Sequence, residues 1–113
     1  DALLYLPIHL HSPHKGAFYG WFVTLRYLMR RREIYETLIR NPRNIRYEFL
    51  CKAAIRFGFT RKGGKGSHQV FTRAGIAEIL NVQEVSGKAK PYQVKQLCRV
   101  IEKYSLLEEE DDA

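Results

Sequence analysis

The chain has 113 residues, of which 45% are hydrophobic, and a formal net charge of +7. This length predicts one domain with a small core, and no apolar run is long enough to span a bilayer. Cys51 and Cys98 form no metal or redox motif, which favours reduced core cysteines in a cytosolic protein. The charge is uneven, because 29–107 holds 17 Lys/Arg against 6 Asp/Glu whereas Glu108–Asp112 is wholly acidic. Such a basic domain favours nucleic acid as its partner, ahead of an anionic membrane surface.

Residues 1–28 differ in composition from the rest of the chain. The run Ala17–Leu25 is too short to cross a membrane, and no basic segment precedes a cleavage-like site, so a signal peptide is not indicated. Met29 is the only methionine, so it is a candidate start residue. We interpret 1–28 as an atypical extension, either part of the native product or an upstream or vector-derived stretch. The segment also carries a loose histidine cluster that is more typical of an incidental arrangement than of a metal site, at His9, His11 and His14.

The remaining sequence alternates between helical and strand-like patterns. Apolar residues repeat with a period near 3.6 in the helical segments, and Gly58 follows the second of them as a C-terminal stop. The glycine-rich segment 63–66 predicts a tight turn between two strands, and 86–90 predicts a loop. In chain order the predicted elements are helices at 30–40 and 46–57, strands at 59–62, 67–73 and 78–85, and a final helix that begins at Pro91.

This order predicts an α+β domain at 29–107. Short turns between consecutive strands indicate a three-stranded antiparallel sheet, with two helices covering one face and the other face open to solvent and ligand. Helix 30–40 is then an extra N-terminal helix. The acidic tail 108–113 is most simply a solvated end, although it also has the charge to mimic phosphate and compete for the basic surface.

The motifs disfavour nucleotide hydrolysis and metal-dependent cleavage. The turn 63–66 lacks the spacing of a Walker loop and the Ser/Thr that follows its lysine. Carboxylates that could converge on magnesium are scarce, since 29–107 contains six glutamates and no aspartate. No zinc-ligand spacing is present either. We therefore expect no metal and no cofactor.

RNA offers a metal-free route, because its 2′-hydroxyl is an internal nucleophile beside the scissile phosphate. Cleavage requires removal of that proton, neutralisation of the phosphate and protonation of the leaving oxygen. Histidine suits the proton transfers, and lysine or arginine suits the charge. His68 is the only histidine in 29–113, which makes it the candidate general acid or base. A lone strand histidine is, however, more often an ordinary hydrogen-bonded residue.

Basic residues occur on both sides of His68 along the chain. One group lies in or beside the turn 63–66, and the other lies in the predicted loop 86–90, so both could reach one phosphate. Taken singly, each fits a solvated charge or a hairpin connection equally well. The predicted RNA-binding or phosphate-binding residues are Lys62, Lys65, Gly66, Ser67, Gln69, Lys88 and Lys90, with Ser67 and Gln69 also able to orient the histidine or the ribose.

Three motifs occur in a fixed order between roughly residues 44 and 107. They are Gly58-Phe59, then Lys65-Gly66-Ser67-His68-Gln69-Val70-Phe71, and then Gly87-Lys88-Ala89-Lys90-Pro91-Tyr92-Gln93-Val94. This order resembles the longer-form branch of the HicA family of toxin–antitoxin ribonucleases. The resemblance implies a double-stranded-RNA-binding-like α-β-β-β-α fold and a metal-independent, cytoplasmic mRNA interferase. It further implies that His68 is catalytic and that the partners are mRNA and a HicB-type antitoxin.

The chain departs from the family pattern before its last helix. The short HicA form carries a second histidine there, whereas Val85-Ser86-Gly87-Lys88 has none. Lys88 or Lys90 is therefore the candidate proton donor to the leaving oxygen. Two alternatives remain open, namely a non-catalytic RNA-binding module of the same fold and an interaction protein that binds an acidic partner.

Overall fold

The computed structural model describes residues 29–109, which form an α+β domain, as predicted. The N-terminal extension, with its three histidines, and the last four residues lie outside this range. The helices are α1 (Arg31–Arg40), α2 (Tyr47–Arg56) and α3 (Pro91–Lys103), and the strands are β1 (Thr60–Gly63), β2 (His68–Arg73), β3 (Ile76–Val85) and β4 (Lys88–Ala89). Short 3-10 turns occupy Pro42–Asn44 and Leu106–Glu108. Within 29–109, no helix combines the length and apolar character needed to cross a bilayer.

The helices begin and end at local signals that the sequence contains. The Glu33 side chain accepts a hydrogen bond from the Arg30 backbone N–H (2.8 Å), which satisfies one free donor at the start of α1. Pro42 follows the end of α1, and Gly58 follows α2 in a left-handed conformation (φ +89°) that favours glycine. These signals act over a few residues, and the predicted helix limits were therefore confirmed to within one residue.

The sheet is antiparallel throughout, in the order β1-β2-β3-β4. Phe71 lies at its centre, opposite Arg61 on one side and Leu80 on the other. The prediction of three strands was wrong, because Lys88–Ala89 pairs with Glu84 and Val85. The connection is the two-residue turn Ser86-Gly87, in which both residues have positive φ (53° and 79°). Such a turn matches the twist of the flanking strands and closes a tight hairpin.

One face of the sheet packs against helices. Phe71, Leu80 and Val82 are buried on that face, whereas their neighbours His68 and Asn81 are exposed. Successive strand residues point to opposite faces, so this alternation separates a packed face from an open face. Helices α2 and α3 contact β3, and α1 packs against α3. Two helices therefore cover one face, as predicted, and α1 adds to the helical layer.

Both cysteines lie in helices as free thiols, Cys51 in α2 and Cys98 in α3. Burial raises the pKa of the Cys98 thiol to about 11, which leaves it protonated at neutral pH. A protonated, buried thiol is a poor nucleophile and metal ligand. Cys98 therefore contributes to the apolar core.

The start of the acidic tail contacts the folded domain. Leu106 is buried, and the Glu109 carboxylate binds Arg31 at 2.8 Å and Arg73 at 2.7 Å. Arg31 is itself buried and also donates to the Arg56 carbonyl (2.8 Å). The expectation of a solvated end therefore does not hold for Glu109, because its carboxylate forms ion pairs with two arginines from different elements.

Candidate functional site

His68 begins β2 at one end of the sheet, and its side chain is exposed. Its backbone N–H donates to the Lys65 carbonyl (2.9 Å), which closes the preceding turn. The Glu84 N–H donates to the Ser67 carbonyl (3.3 Å), which joins the same turn to β3. Within residues 29–109, no hydrogen bond or ion pair engages the His68 ring. The backbone of His68 is therefore fixed by the turn, and no residue of 29–109 engages its ring.

The glycine turn is shaped by close approach of the backbone to itself. Gly64 has φ +127°, and a Cβ atom there would lie 1.9 Å from the His68 carbonyl oxygen. Only glycine avoids that collision and adopts that φ without strain. Gly66 also has positive φ (57°), with open space around it. Gly64 consequently allows the turn to fold back onto the first residue of β2.

The register places His68 on the open face together with residues of the next two strands. His68 lies directly opposite Gln83, and Val85 lies directly opposite Lys88. Opposed residues share a face, and Gln83 and Val85 are two residues apart along β3. Lys88 therefore projects from the same face as His68, two strands away.

The four predicted lysines lie at the same end of the sheet. Lys62 is exposed at the β-bulge in β1, and Lys65 is exposed in the glycine turn. Lys88 is exposed on β4, and Lys90 is half-buried at the start of α3. None of these side chains has an ion-pair partner among residues 29–109. The structure thus places four lysines that have no ion-pair partner in 29–109 at the end of the sheet where the exposed His68 lies.

Gln69 lies on the packed face, opposite Val82, and so points away from His68. Its side-chain oxygen accepts a hydrogen bond from Arg61, and its amide donates to the Gly66 carbonyl (3.1 Å). The prediction that Gln69 orients the His68 ring is therefore not supported, because the two side chains lie on opposite faces of the sheet. Gln69 stabilises the glycine turn from the packed face, through its hydrogen bond to the Gly66 carbonyl.

Sequence reasoning missed Gln93, a buried polar residue on α3. Its side-chain oxygen accepts a hydrogen bond from the Gln83 N–H (2.9 Å), and Gln83 lies opposite His68. β4 ends at Ala89, which lies opposite Glu84, so no residue of β4 lies opposite Gln83. The Gln93 side chain supplies the acceptor for the Gln83 N–H instead. Its signals in the sequence were its place in the last of the three sequence motifs, where no role was assigned to it, and its position beside the apolar stripe of α3.

Several carboxylates are engaged in contacts away from this end of the sheet. Glu78 accepts hydrogen bonds from Lys103 (2.9 Å) and Tyr104 (2.7 Å), which lower its pKa. Glu102 accepts a hydrogen bond from Tyr35, which raises the pKa of Tyr35 to about 12. In the part of the chain that the structure describes, no three His, Cys, Asp or Glu side chains cluster as metal ligands would.

Comparison with protein-family models, with curated proteins and with solved structures gave no match for this chain.

Proposed function

We propose that the protein is a metal-independent endoribonuclease that cleaves mRNA at a site centred on His68. The observation that carries the proposal is an exposed His68 imidazole on the open sheet face, without a hydrogen bond or ion pair in 29–109, at the same end of the sheet as Lys62, Lys65, Lys88 and Lys90. Cations bind the phosphate backbone, and an imidazole can transfer protons near neutral pH.

The reaction requires two proton transfers around one phosphate. His68 accepts the 2′-hydroxyl proton as the 2′-oxygen attacks phosphorus and forms the new P–O bond. The bond from phosphorus to the 5′-oxygen breaks, and a lysine ammonium, from Lys88 or Lys90, donates a proton to that oxygen. The lysines also offset the negative charge that builds up on the phosphoryl oxygens. The products are a 2′,3′-cyclic phosphate and a 5′-hydroxyl.

The biological role proposed with this chemistry is that of a type II toxin. It rests on the sequence resemblance to the HicA family, whose implied fold is the double-stranded-RNA-binding-like arrangement. The observed element order, with its added short β4, is compatible with that fold. In this proposal the protein acts in the cytoplasm on mRNA, and a HicB-type antitoxin covers His68.

The decisive experiment compares the wild type and His68→Ala on single-stranded mRNA in the presence of EDTA. We expect cleavage by the wild type and at least a hundredfold slower cleavage by His68→Ala, since a positioned general acid or base contributes about 10²–10⁴ in rate. Circular dichroism and thermal melting check that both proteins fold. Equal cleavage by the two would exclude the assigned role of His68.

A charge-matched pair tests the lysines. Lys88→Ala should slow cleavage at subsaturating RNA, whereas Lys95→Ala should not, because Lys95 is exposed on α3, which lies in the helical layer. Each variant removes one positive charge, so a general loss of attraction would affect both equally. Equal slowing by the two would refute a specific role for Lys88.

A non-catalytic RNA-binding module is the second candidate. It is favoured by the presence of a single histidine among 29–109, because the second proton transfer then depends on a lysine. This candidate predicts that the protein retains RNA without cleaving it. It also predicts that induced expression of the wild type causes no growth arrest that the His68→Ala substitution would relieve. Absence of RNA retention at physiological salt would instead favour an acidic protein partner.

A further inference from the structure

The connection between the first two helices adds a further cation to the edge of the sheet. Arg46 forms an isolated antiparallel bridge with Lys88. Beside it, the Ala89 N–H donates to the Ile45 carbonyl (2.9 Å). These contacts hold the segment just before α2 against the outer edge of β4, next to the four strands of the sheet.

Arg46 lies on the same face as the proposed site. It is opposite Lys88, which is opposite Val85, and opposed residues share a face. The Arg46 side chain is 72% exposed, and its contact with Glu48 is long, at 3.4 Å between exposed groups. An ion pair of that kind contributes little and is readily exchanged for another anion.

His68, Lys88 and Arg46 therefore form a row that crosses the strands. Lys88 is two strands from His68 and Arg46 is three, so the row extends across roughly 14 Å at about 4.8 Å per strand. The glycine turn with Lys65 extends the row on the other side of His68. Successive phosphates of one strand lie about 3.4 Å apart along the axis of a duplex. Those of an extended single strand lie farther apart, so no more than about four would span this row.

Apart from the row and Lys62, the residues that β2 and β3 place on this face are uncharged. Away from the row, β2 and β3 present Val70, Thr72, Ile79 and Asn81. The second strand of a duplex would lie over this uncharged surface, where its phosphates would have no cations to attract them. A single line of cations instead suits a single strand.

We infer that Arg46 binds an RNA phosphate and that a single RNA strand crosses the sheet obliquely to its β-strands. The path is oblique because Val85, opposite Lys88, lies two residues along β3 from Gln83, opposite His68. The strand runs from the glycine turn, past His68 and Lys88, to Arg46. This inference rests on the proposed function and names the substrate form and a binding residue of the same site. Arg46 is remote from the other site residues in sequence, so no motif indicated it.

Binding is best measured with His68→Ala as the parent, because cleavage is then suppressed. A single-stranded oligoribonucleotide is titrated against full-length His68→Ala, His68→Ala/Arg46→Ala and His68→Ala/Arg99→Ala, at 50 to 200 mM salt. Arg99 is exposed on α3 and has no ion-pair partner in 29–109, so it controls for the loss of one arginine charge. The same oligoribonucleotide annealed to its complement provides the duplex.

Loss of one phosphate contact reduces the slope of log affinity against log salt by about 0.7 for a single strand. We therefore expect the parent to lose about two- to threefold more affinity than the Arg46→Ala double variant over this salt range. The Arg99→Ala double variant should keep the parent slope. In the wild-type background, Arg46→Ala should raise KM severalfold and leave kcat unchanged.

Equal slopes for the Arg46→Ala and Arg99→Ala double variants would overturn the inference. Tighter binding of the duplex, with the same dependence on Arg46, would overturn its single-stranded part. Both results leave cleavage by His68 intact. A wild type that neither binds nor cleaves RNA would instead overturn the proposed function, and the inference with it.

Discussion

His68 owes its position to a neighbour that has no functional group. Gly64 places its backbone where a Cβ atom would strike the His68 carbonyl oxygen, and it does so at φ +127°. Gly63, the preceding residue, has nothing within 4 Å of its ideal Cβ atom and no positive φ. The two glycines are adjacent in sequence but differ in steric surroundings, so they form a matched test of the turn.

Gly64→Ala should destabilise the protein by about 1–3 kcal/mol, through strained backbone and the collision with His68. Gly63→Ala should remain within about 0.5 kcal/mol of the wild type. Urea denaturation gives both free energies of unfolding, and the cleavage assay should show a loss of activity for Gly64→Ala alone. Equal midpoints for the two variants would show that the turn relaxes without cost.

At the scale of elements, the sheet near His68 depends on a helix that completes it. β4 contains only two residues, and Gln93 of α3 supplies the acceptor for the Gln83 N–H beyond its end. The Gln93 amide in turn donates to the Tyr92 hydroxyl (3.4 Å). A buried backbone donor without a partner is costly, so α3 and β3 are joined by a polar contact within an apolar layer.

Gln93→Leu should destabilise the protein by about 1–2 kcal/mol, because the part-buried Gln83 N–H would be left without an acceptor. Hydrogen exchange measured by NMR should show faster exchange at the Gln83 amide. Gln96→Leu, on the same helix but half-exposed, should change neither quantity substantially. Unchanged protection of Gln83 in Gln93→Leu would show that another group accepts this hydrogen bond.

At the scale of the whole molecule, Glu109 joins both layers of the fold. Its carboxylate binds Arg31 at the start of α1 and Arg73 at the end of β2. Arg73 also donates to the Phe57 carbonyl (2.7 Å), and the Arg31 guanidinium lies 5.4 Å from the centre of the Phe57 ring. The hydrogen bonds from Arg73, and then from Arg31, lower the pKa of Glu109.

Glu109→Gln should destabilise the protein at pH 7 by about 1 kcal/mol. Breaking a buried pair costs more, but the Glu109 side chain is 39% exposed and solvent screens the interaction. Because the folded pKa is depressed, this stabilisation is present above the unfolded pKa of about 4.3 and is lost as the pH falls through the folded value. The gap between wild type and variant should therefore close in acid.

Glu108→Gln is the matched control, since Glu108 is exposed and has no ion-pair partner within 29–109. Denaturation of the three proteins between pH 3 and pH 8 separates a specific bridge from the general effect of one fewer negative charge. A destabilisation of Glu109→Gln that persists unchanged below the folded pKa would contradict the assignment to charge.

Much of this fold is local in origin. The periodicity of Ile34 and Leu38, and the stop at Gly58, determined two helices, because these signals operate within a few residues. β4 escaped prediction because two residues carry no periodicity, although Ser86-Gly87 is a recognisable two-residue turn signal. The candidate chemistry of His68 likewise followed from its being the only histidine in 29–113.

The sequence by itself determined the helices, three of the strands and the glycine turn, since each depends on neighbouring residues, and it named His68 as the candidate for proton transfer. Only the tertiary structure decided which face each side chain occupies, because that depends on strand register. Register placed Lys88 and Arg46 on the face of His68 and turned Gln69 away from it. A shift of one residue would reverse every one of these assignments, and no single segment of the chain contains that information.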